Sequence, residues 1–303
     1  MPQRCYDYSL FDKKGEETVD ISKTPIVLMT DFGTSDGAVS AMKGVIYSVD
    51  AAATVVDLTH NIEPFNIHEA SFRLFQVLQY YPKGTVFVCV VDPGVGTNRK
   101  SIVAKTHNDY YIVTPDNGIL TYVADHYGID AVREIDESQN RLPSSINSHT
   151  FHGRDVYAYT GARLATGKID FEGVGDTALN QFTTISIQVP SVVDGSIHGT
   201  VVALDGVYGN LWTNVTEKML TKIGITYGQI IQIDIVVHNA LCYQATLLFG
   251  KTFGESEIGQ PIAYMNSIGH VAIAVNQGNF AKKFQIKPGY NIHIRTGPQP
   301  TLG

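Results

Sequence analysis

A chain of 303 residues, 44% hydrophobic and 17% charged, is long enough for two cores and too apolar to be disordered. Its formal net charge of -7, without a basic run, argues against nucleic acid as a partner. No stretch approaches the ~18 apolar residues of a spanning helix, and Cys5, Cys89 and Cys242 have no paired spacing, so neither a membrane, a zinc site nor a disulfide framework is expected.

Residues 1–24 read as a polar arm without the apolar centre of a signal peptide. A cytoplasmic location is expected, with a processed end as the alternative. From residue 25 onward strands and helices alternate. "PIVLMTDFG" is a buried strand stopping at a loop, and "SDGAVSAMKGVIYSV" a helix with Val39, Met42, Val45 and Ile46 on one face. "ATVVDLTH" is a second strand, and "NIHEASFRLFQVLQYYP" a second helix that Pro82 ends. The strands "GTVFVCVVD", "SIVAKTH" and "YYIVTPDNG" follow, with Cys89 a small core residue in the first. Helices are expected near "ILTYVADHYG" and over "RDVYAYTGARLATG". Such alternation predicts a largely parallel sheet with both faces covered, and ligands gather beyond the carboxyl ends of its strands. Asp31, Asp57, His60 and Asp92 are expected there.

The pattern changes after about residue 183. "TTISIQVPSVVDGSIHGTVVALDG" alternates with period two, and then "QIIQIDIVV", "CYQATLLFG", "PIAYMNS", "HVAIAVNQG" and "YNIHIRT" read as short strands between turns. They indicate a small antiparallel barrel or sandwich. The expected organisation is the arm 1–24, an α/β domain over 25–183, a linker over 184–195 and a β-barrel domain over 196–303. The fold class is α/β: a mostly parallel sheet flanked by helices, then a smaller antiparallel β-barrel.

Four stretches carry candidate chemistry. In "VDPGVGTNRK", Asp92 and Arg99 flank a loop bent by Pro93, Gly94 and Gly96; a surface ion pair across a hairpin is the plain alternative to a functional pair. In "SHTFHGRDVYAY", His152 is the better acid–base candidate, because imidazole changes charge near neutral pH, and Gly153 lets backbone approach closely. Arg154 and Asp155 read as a helix-start pair, and no metal-ligand spacing accompanies His149 and His152. In "LDGVYGNLWTN", Asp205, Asn210, Tyr208 and Trp212 suit a ribose diol, an amino acid or a base. In "TDFGTSDGAVSAMKG", Asp31 and Asp36 bracket a turn that lacks a phosphate-binding GxGxxG; Asp36 can cap the helix, contact a ligand, or both.

Together these motifs resemble those of the S-adenosylmethionine hydroxide adenosyltransferases, relatives of the fluorinase and chlorinase. "TDFGTSDG", "DLTHNIEPF", "DPGVGTNR", "TFHGRD", "LDGVYGNLWTN" and "NSIGHVAIAVNQGNFA" stand in family order from about residue 25 to the C-terminus. The resemblance implies that water or hydroxide displaces methionine from the 5′ carbon of S-adenosylmethionine, giving adenosine and L-methionine. It implies an Asp-Arg-His set at Asp92, Arg99 and His152; halogenases carry Tyr in place of Asp92 and Ser in place of Gly153. It places Asp31 at the ribose hydroxyls and Phe65, a Trp in the fluorinase, against the adenosyl group. Asp205 and Asn210 would hold the methionine end with Asp36 nearby, and Ser267, Asn276 and Gln277 would face adenine, next to Val275 where the fluorinase has Arg. S-adenosylmethionine is then substrate and no cofactor is implied. The family pattern is a homotrimer with sites between the first domain of one subunit and the barrel of the next.

The chemistry is compatible. Methionine leaves a sulfonium as a neutral thioether, so the demand falls on the nucleophile. Arginine is a poor base, so Arg99 would orient the water, and either Asp92 or His152 would accept its proton. A non-catalytic protein binding S-adenosylmethionine or adenosine is the alternative, and a halogenase a further one.

Overall fold

A computed structural model describes residues 24–298; the polar arm expected over 1–24 lies outside the described residues except for Thr24. The chain divides into two compact units, one ending at Ile185 and one starting at Ser186.

The first unit runs β1 (Ile26–Thr30), α1 (Ala38–Val49), β2 (Val55–Thr59), α2 (Ile67–Leu78), β3 (Val86–Val90), β4 (Ser101–Thr106), β5 (Tyr111–Pro115), α3 (Thr121–Tyr127) and β6 (Ile129–Glu134), and ends on α4 (Tyr159–Ala165). Its six strands lie in the order β2-β1-β3-β5-β4-β6. β2, β1, β3 and β5 pair in parallel, while β4 runs antiparallel to both β5 and β6. The sheet is mostly parallel, as the alternation of strands and helices predicts.

β1 and β3 are buried along their whole length, as a central strand covered on both faces must be. Side chains of a strand alternate between faces. Ile26, Leu28, Val86, Val88 and Val90 therefore face one core, with Met42 and Ile46 of α1 and Ala162 of α4. Val27, Met29, Phe87 and Cys89 face the other, with Leu74 and Leu78 of α2 and Val123 of α3. The four positions expected to line the buried face of α1 do so. β6 has no counterpart among the expected strands. Asp57, expected beyond a strand end, lies inside β2, where Lys43 pairs with it at 2.6 Å and the His60 ring lies 3.0 Å away.

The second unit contains β7 (Ser191–Val193), β8 (Ser196–Leu204), β9 (Leu211–Thr216), α5 (Glu217–Lys222), β10 (Ile230–Val237), β11 (Ala240–Leu248), β12 (Pro261–Met265), β13 (His270–Val275), α6 (Phe280–Phe284) and β14 (Asn291–Thr296). The antiparallel order is β11-β10-β14-β8-β9-β13-β12, with β7 on β8. A single bridge from Phe249 to Ala263 draws the two ends together, so the sheet is nearly a barrel. Isoleucines from alternating positions, among them Ile197, Ile231, Ile233, Ile273 and Ile294, fill its interior. Residues 191–193, inside the expected linker, form β7. Residues 183–190 alternate like a strand but pair with none; side chains hold them instead, as when the Asn214 amide donates to the Gln188 carbonyl at 2.8 Å.

α2 and α3 pack through a buried aromatic group that includes two histidines. His126 stacks on Phe75 at 4.1 Å and its Nδ1 donates to the Tyr122 carbonyl at 2.9 Å, while His68 Nε2 meets the Tyr122 hydroxyl at 3.1 Å. Burial pushes both imidazoles below their ordinary value of 6.5, against weaker opposition from the Tyr122 carbonyl and Asp125 at His126 and from Glu69 at His68. The folded state thus favours the neutral rings, and the unfolded chain binds more protons below about 6.5. Their contribution to stability is complete above that pH and is lost as the pH falls toward the folded values. Thermal melts at falling pH should show this loss, and the pair His68→Leu, His126→Phe should have a shallower dependence.

Candidate active site

β3 ends at Val90, and the chain turns through "DPGVGTNR" before re-entering the sheet as β4. β3 and β4 are not neighbours in the sheet, so this loop is no hairpin. Its bend is fixed from within: Val95 N–H donates to the Asp92 carbonyl, and Thr97 donates to Gly94 through both backbone and hydroxyl. Gly96 takes φ +76, and a Cβ there would lie 3.1 Å from the His149 carbonyl oxygen. The loop carrying Arg99 and the segment carrying His152 are therefore in backbone contact.

Arg99 Nε donates to Asp92 Oδ1 at 3.0 Å and Oδ2 at 3.1 Å, and Nη2 reaches Oδ2 at 2.6 Å. The same Nη2 lies 3.0 Å from His152 Nδ1. The side chains are only 10% and 5% exposed for Arg99 and Asp92, so the surface ion pair that the sequence also allowed is replaced by a buried one. Burial works against the guanidinium charge, but the Asp92 hydrogen bonds and the charges around it raise its pKa above the ordinary value. Burial pushes the His152 pKa down; Glu137 opposes this, Arg99 and Arg141 reinforce it, and Asp92 opposes it.

A guanidinium has donors only. In the bond to Arg99, His152 Nδ1 is therefore the acceptor, and the neutral ring carries its proton on Nε2. His152 sits at the start of a π-helical turn over Gly153–Ala158 that leads into α4. Such wide turns recur at functional sites because they rotate side chains off the regular helical positions.

Gly153 is buried, and a Cβ on it would lie 3.2 Å from the Phe32 ring and 3.5 Å from Phe151. Phe32 follows Asp31 at the carboxyl end of β1, so that end and the His152 segment are packed together. Asp31 Oδ2 accepts the Phe65 N–H at 2.9 Å. Phe65 itself is 69% exposed with φ +69, a left-handed conformation costly for a residue with a Cβ. Asp36 accepts the Ala38 N–H at 2.9 Å from one position before the Gly37 N-cap, so it braces the turn into α1 without capping the helix. Arg154 pairs with Asp155 at 2.6 Å beside the same turn.

In the second unit, the Asp205 N–H donates to the Asn210 carbonyl at 2.9 Å and the Asn210 amide lies 3.4 Å from Asp205 Oδ2. Gly209 packs so closely on Asn279 that a Cβ would collide with the Asn279 amide, and Ala281 N–H donates to the Gly209 carbonyl. The loop of Asp205 and Asn210 thus rests on Asn279 and Ala281 at the start of α6, just after Asn276 and Gln277 in the chain. Asn276 donates to the Ser256 carbonyl at 2.8 Å, and Gln277 has φ +53. Ser267 lies in the tight turn between β12 and β13. Tyr264, which the sequence reading passed over, joins this group: burial and the charge of Asp205 push its pKa up to about 12, against hydrogen bonds with Trp212 and Asn210.

Residues 26–175 match the model of the SAM hydroxide adenosyltransferase N-terminal domain, and residues 199–293 that of its C-terminal domain. The chain belongs to this family. It is 36% identical over 265 residues to an (R)-S-adenosyl-L-methionine hydrolase of Methanocaldococcus jannaschii, covering 86% of this chain and 92% of that protein. A fluorinase of Actinopolyspora mzabensis is 28% identical over 300 residues, covering 90% and 97%. An uncharacterized conserved protein from Thermotoga maritima, seen in a crystal structure, superposes with a TM-score of 0.83 at 34% identity, over 89% of this chain and 99% of that one.

For a member of the adenosyltransferase family, the sequence left several neighbours of the site unread. Phe32 was visible only as part of "TDFG", and nothing in the spacing says that its ring closes over Gly153. This contact predicts the outcome of adding a side chain there. Gly153→Ser, which brings a Cβ against Phe32, should lower the melting temperature, corresponding to a cost of about 1–3 kcal/mol for overpacking. Phe32→Ala in the same chain should recover part of the loss.

Proposed function

We propose that this protein hydrolyses S-adenosyl-L-methionine to adenosine and L-methionine by attack of water or hydroxide at the ribose 5′ carbon. The observation that supports it most is Arg99, buried, bonded twice over to Asp92 and also to His152 Nδ1. A new C5′–O bond forms as the C5′–S bond breaks, and the electron pair stays on sulfur as a neutral thioether. No general acid is needed for that departure.

Because His152 Nδ1 is occupied by Arg99, the proton acceptor in this reading is Asp92. Its Oδ1 takes a single guanidinium N–H and keeps a lone pair. Water that has added to carbon is a strongly acidic oxonium, so even a carboxylate paired with arginine takes its proton. Arg99 holds Asp92 and His152 in place, the Nε2–H of His152 orients the water, and orientation of this kind supplies several kcal/mol. Asp92 returns the proton to solvent.

The remaining assignments follow the same reading. Asp31 contacts the ribose hydroxyls and Phe65 the adenosyl face; the backbone of Phe65 is tied to Asp31 by the bond from its N–H. Asp36 lies close by. Asp205 and Asn210 take the methionine end, and Ser267, Asn276 and Gln277 the adenine. As the family resemblance implies, we propose a homotrimer with sites between subunits, which would account for the division of these residues between two units, and no cofactor. A cytoplasmic compartment goes with this reading, and the exposed free thiol of Cys242 suits a reducing one. Among the described residues no helix is long and apolar enough to cross a membrane. Gly153 offers no hydroxyl for a halide, and the Phe32 ring fills the space beside it, which favours hydrolysis over halogenation.

Incubation with S-adenosyl-L-methionine, supplied as each sulfonium epimer, should yield adenosine and methionine in equal amounts by chromatography. Arg99→Ala should lower kcat by about 100-fold. Intact substrate overturns the reading in favour of binding alone, and a 5′-halo-5′-deoxyadenosine in high halide overturns it in favour of halogenation. The pH profile has a definite sign. Protonation would turn His152 Nδ1 into a donor facing another donor, so kcat should be full above the ordinary value of 6.5 and fall on an acid limb below it.

A further inference from the structure

We propose that Ser101 and Glu137 are positioning residues that hold Arg99 and the His152 segment in one fixed relation, through a closed circuit of hydrogen bonds behind the Asp92 pair. The inference rests on the hydrolase reading.

Three of the donors of Arg99 face Asp92 and His152; Nη1 points away from both. It donates to Ser101 Oγ at 3.0 Å. Ser101 opens β4 and is buried, so an unpaired hydroxyl or guanidinium N–H would be costly there. Two further groups meet the same oxygen: the Tyr157 hydroxyl at 3.2 Å and Glu137 Oε1 at 3.3 Å. The proton directions follow from what each group can do. Burial raises the Tyr157 pKa strongly, so the phenol keeps its proton and donates to Ser101. Ser101 has then accepted twice, and its own proton goes to Glu137. Every donor and acceptor around Oγ is used.

Glu137 continues the chain. Its Oε2 accepts Arg141 Nη1 at 2.6 Å, and Arg141 Nη2 donates to the Ser148 carbonyl. Ser148 lies on the segment that leads into His152, which returns to Arg99 through Nδ1. The circuit therefore ties the loop of Asp92 and Arg99 to the segment of His152 through Nη1, the guanidinium nitrogen that bonds neither Asp92 nor His152. The Tyr157 ring, with Arg99 Cζ 5.6 Å from its centroid, closes the remaining side of the guanidinium. The charged groups that act on His152 are Asp92 and Arg99 from the loop after β3, and Glu137 and Arg141 from the segment after β6.

Ser101→Ala removes the junction while keeping all the groups assigned to touch substrate. It should lower kcat about tenfold and leave KM within about twofold, since the loss is one of alignment. Ser101→Thr, which restores a hydroxyl, should recover most of it. Glu137→Gln removes the largest of the charges that raise the His152 pKa, so the acid limb of kcat should move to lower pH. The imidazole 15N signals of His152 should titrate with the same downward shift, independently of turnover. Wild-type kcat in Ser101→Ala overturns the proposal. So does a loss that follows the melting temperature and is not rescued by threonine, or an unmoved His152 titration in Glu137→Gln. A wild-type protein that leaves S-adenosylmethionine intact defeats the hydrolase reading instead, a result distinct from unchanged variants of an active enzyme.

Discussion

A buried guanidinium organises the first unit. Arg99 is taken out of water, and a cation in that position must have its donors met by anions or neutral acceptors with good geometry. Asp92 supplies the anion, His152 Nδ1 and Ser101 Oγ the neutral acceptors. Each of the three comes from a different part of the chain: the end of β3, the start of the π-helical turn and the start of β4. Satisfying one side chain therefore fixes three segments relative to one another. The same demand fixes His152 Nδ1 as an acceptor, and in the proposed reaction this leaves Asp92 to take the proton.

Sheet order puts these segments within reach. β1 and β3 are neighbours and parallel, so Asp31 and Asp92 emerge from the same edge. The antiparallel β4 then starts at that edge rather than the opposite one, which brings Ser101 and Arg99 to the carboxyl ends of the parallel strands. Close packing completes the arrangement. Gly153 has no side chain, Phe32 takes up the space, and the backbone of Gly96 lies against His149. A Cβ at residue 153 or 96 would press on these neighbours.

Much of this was legible in the residues. Uninterrupted apolar runs in β1 and β3 announced central strands, and Val39, Met42, Val45 and Ile46 announced the buried face of α1. Asp92 and Arg99 stood out at the ends of a glycine-rich loop after a buried strand and His152 for its imidazole, while only the family resemblance joined the three into one set. Elsewhere local pattern was a poor guide. β6 mixes Asp130, Arg133 and Glu134 into a short edge strand and shows no clean alternation. β9 follows a turn motif closely enough to be read as part of it. Residues 183–190 alternate yet find no partner strand, because alternation reports a surface with two faces and not a hydrogen-bonded neighbour. Ser101, Tyr157 and Glu137 carry no spacing signal at all: they meet across 36 and 56 residues of chain, a relation only the fold creates.

The central claim is that oxygen from water ends on the 5′ carbon of the adenosyl group. Turnover in water enriched in 18O, followed by mass spectrometry of both products, tests it directly. The account predicts adenosine carrying one 18O atom at its 5′ hydroxyl and methionine carrying none. Adenosine without the label, or a label found in the amino-acid fragment, would contradict it.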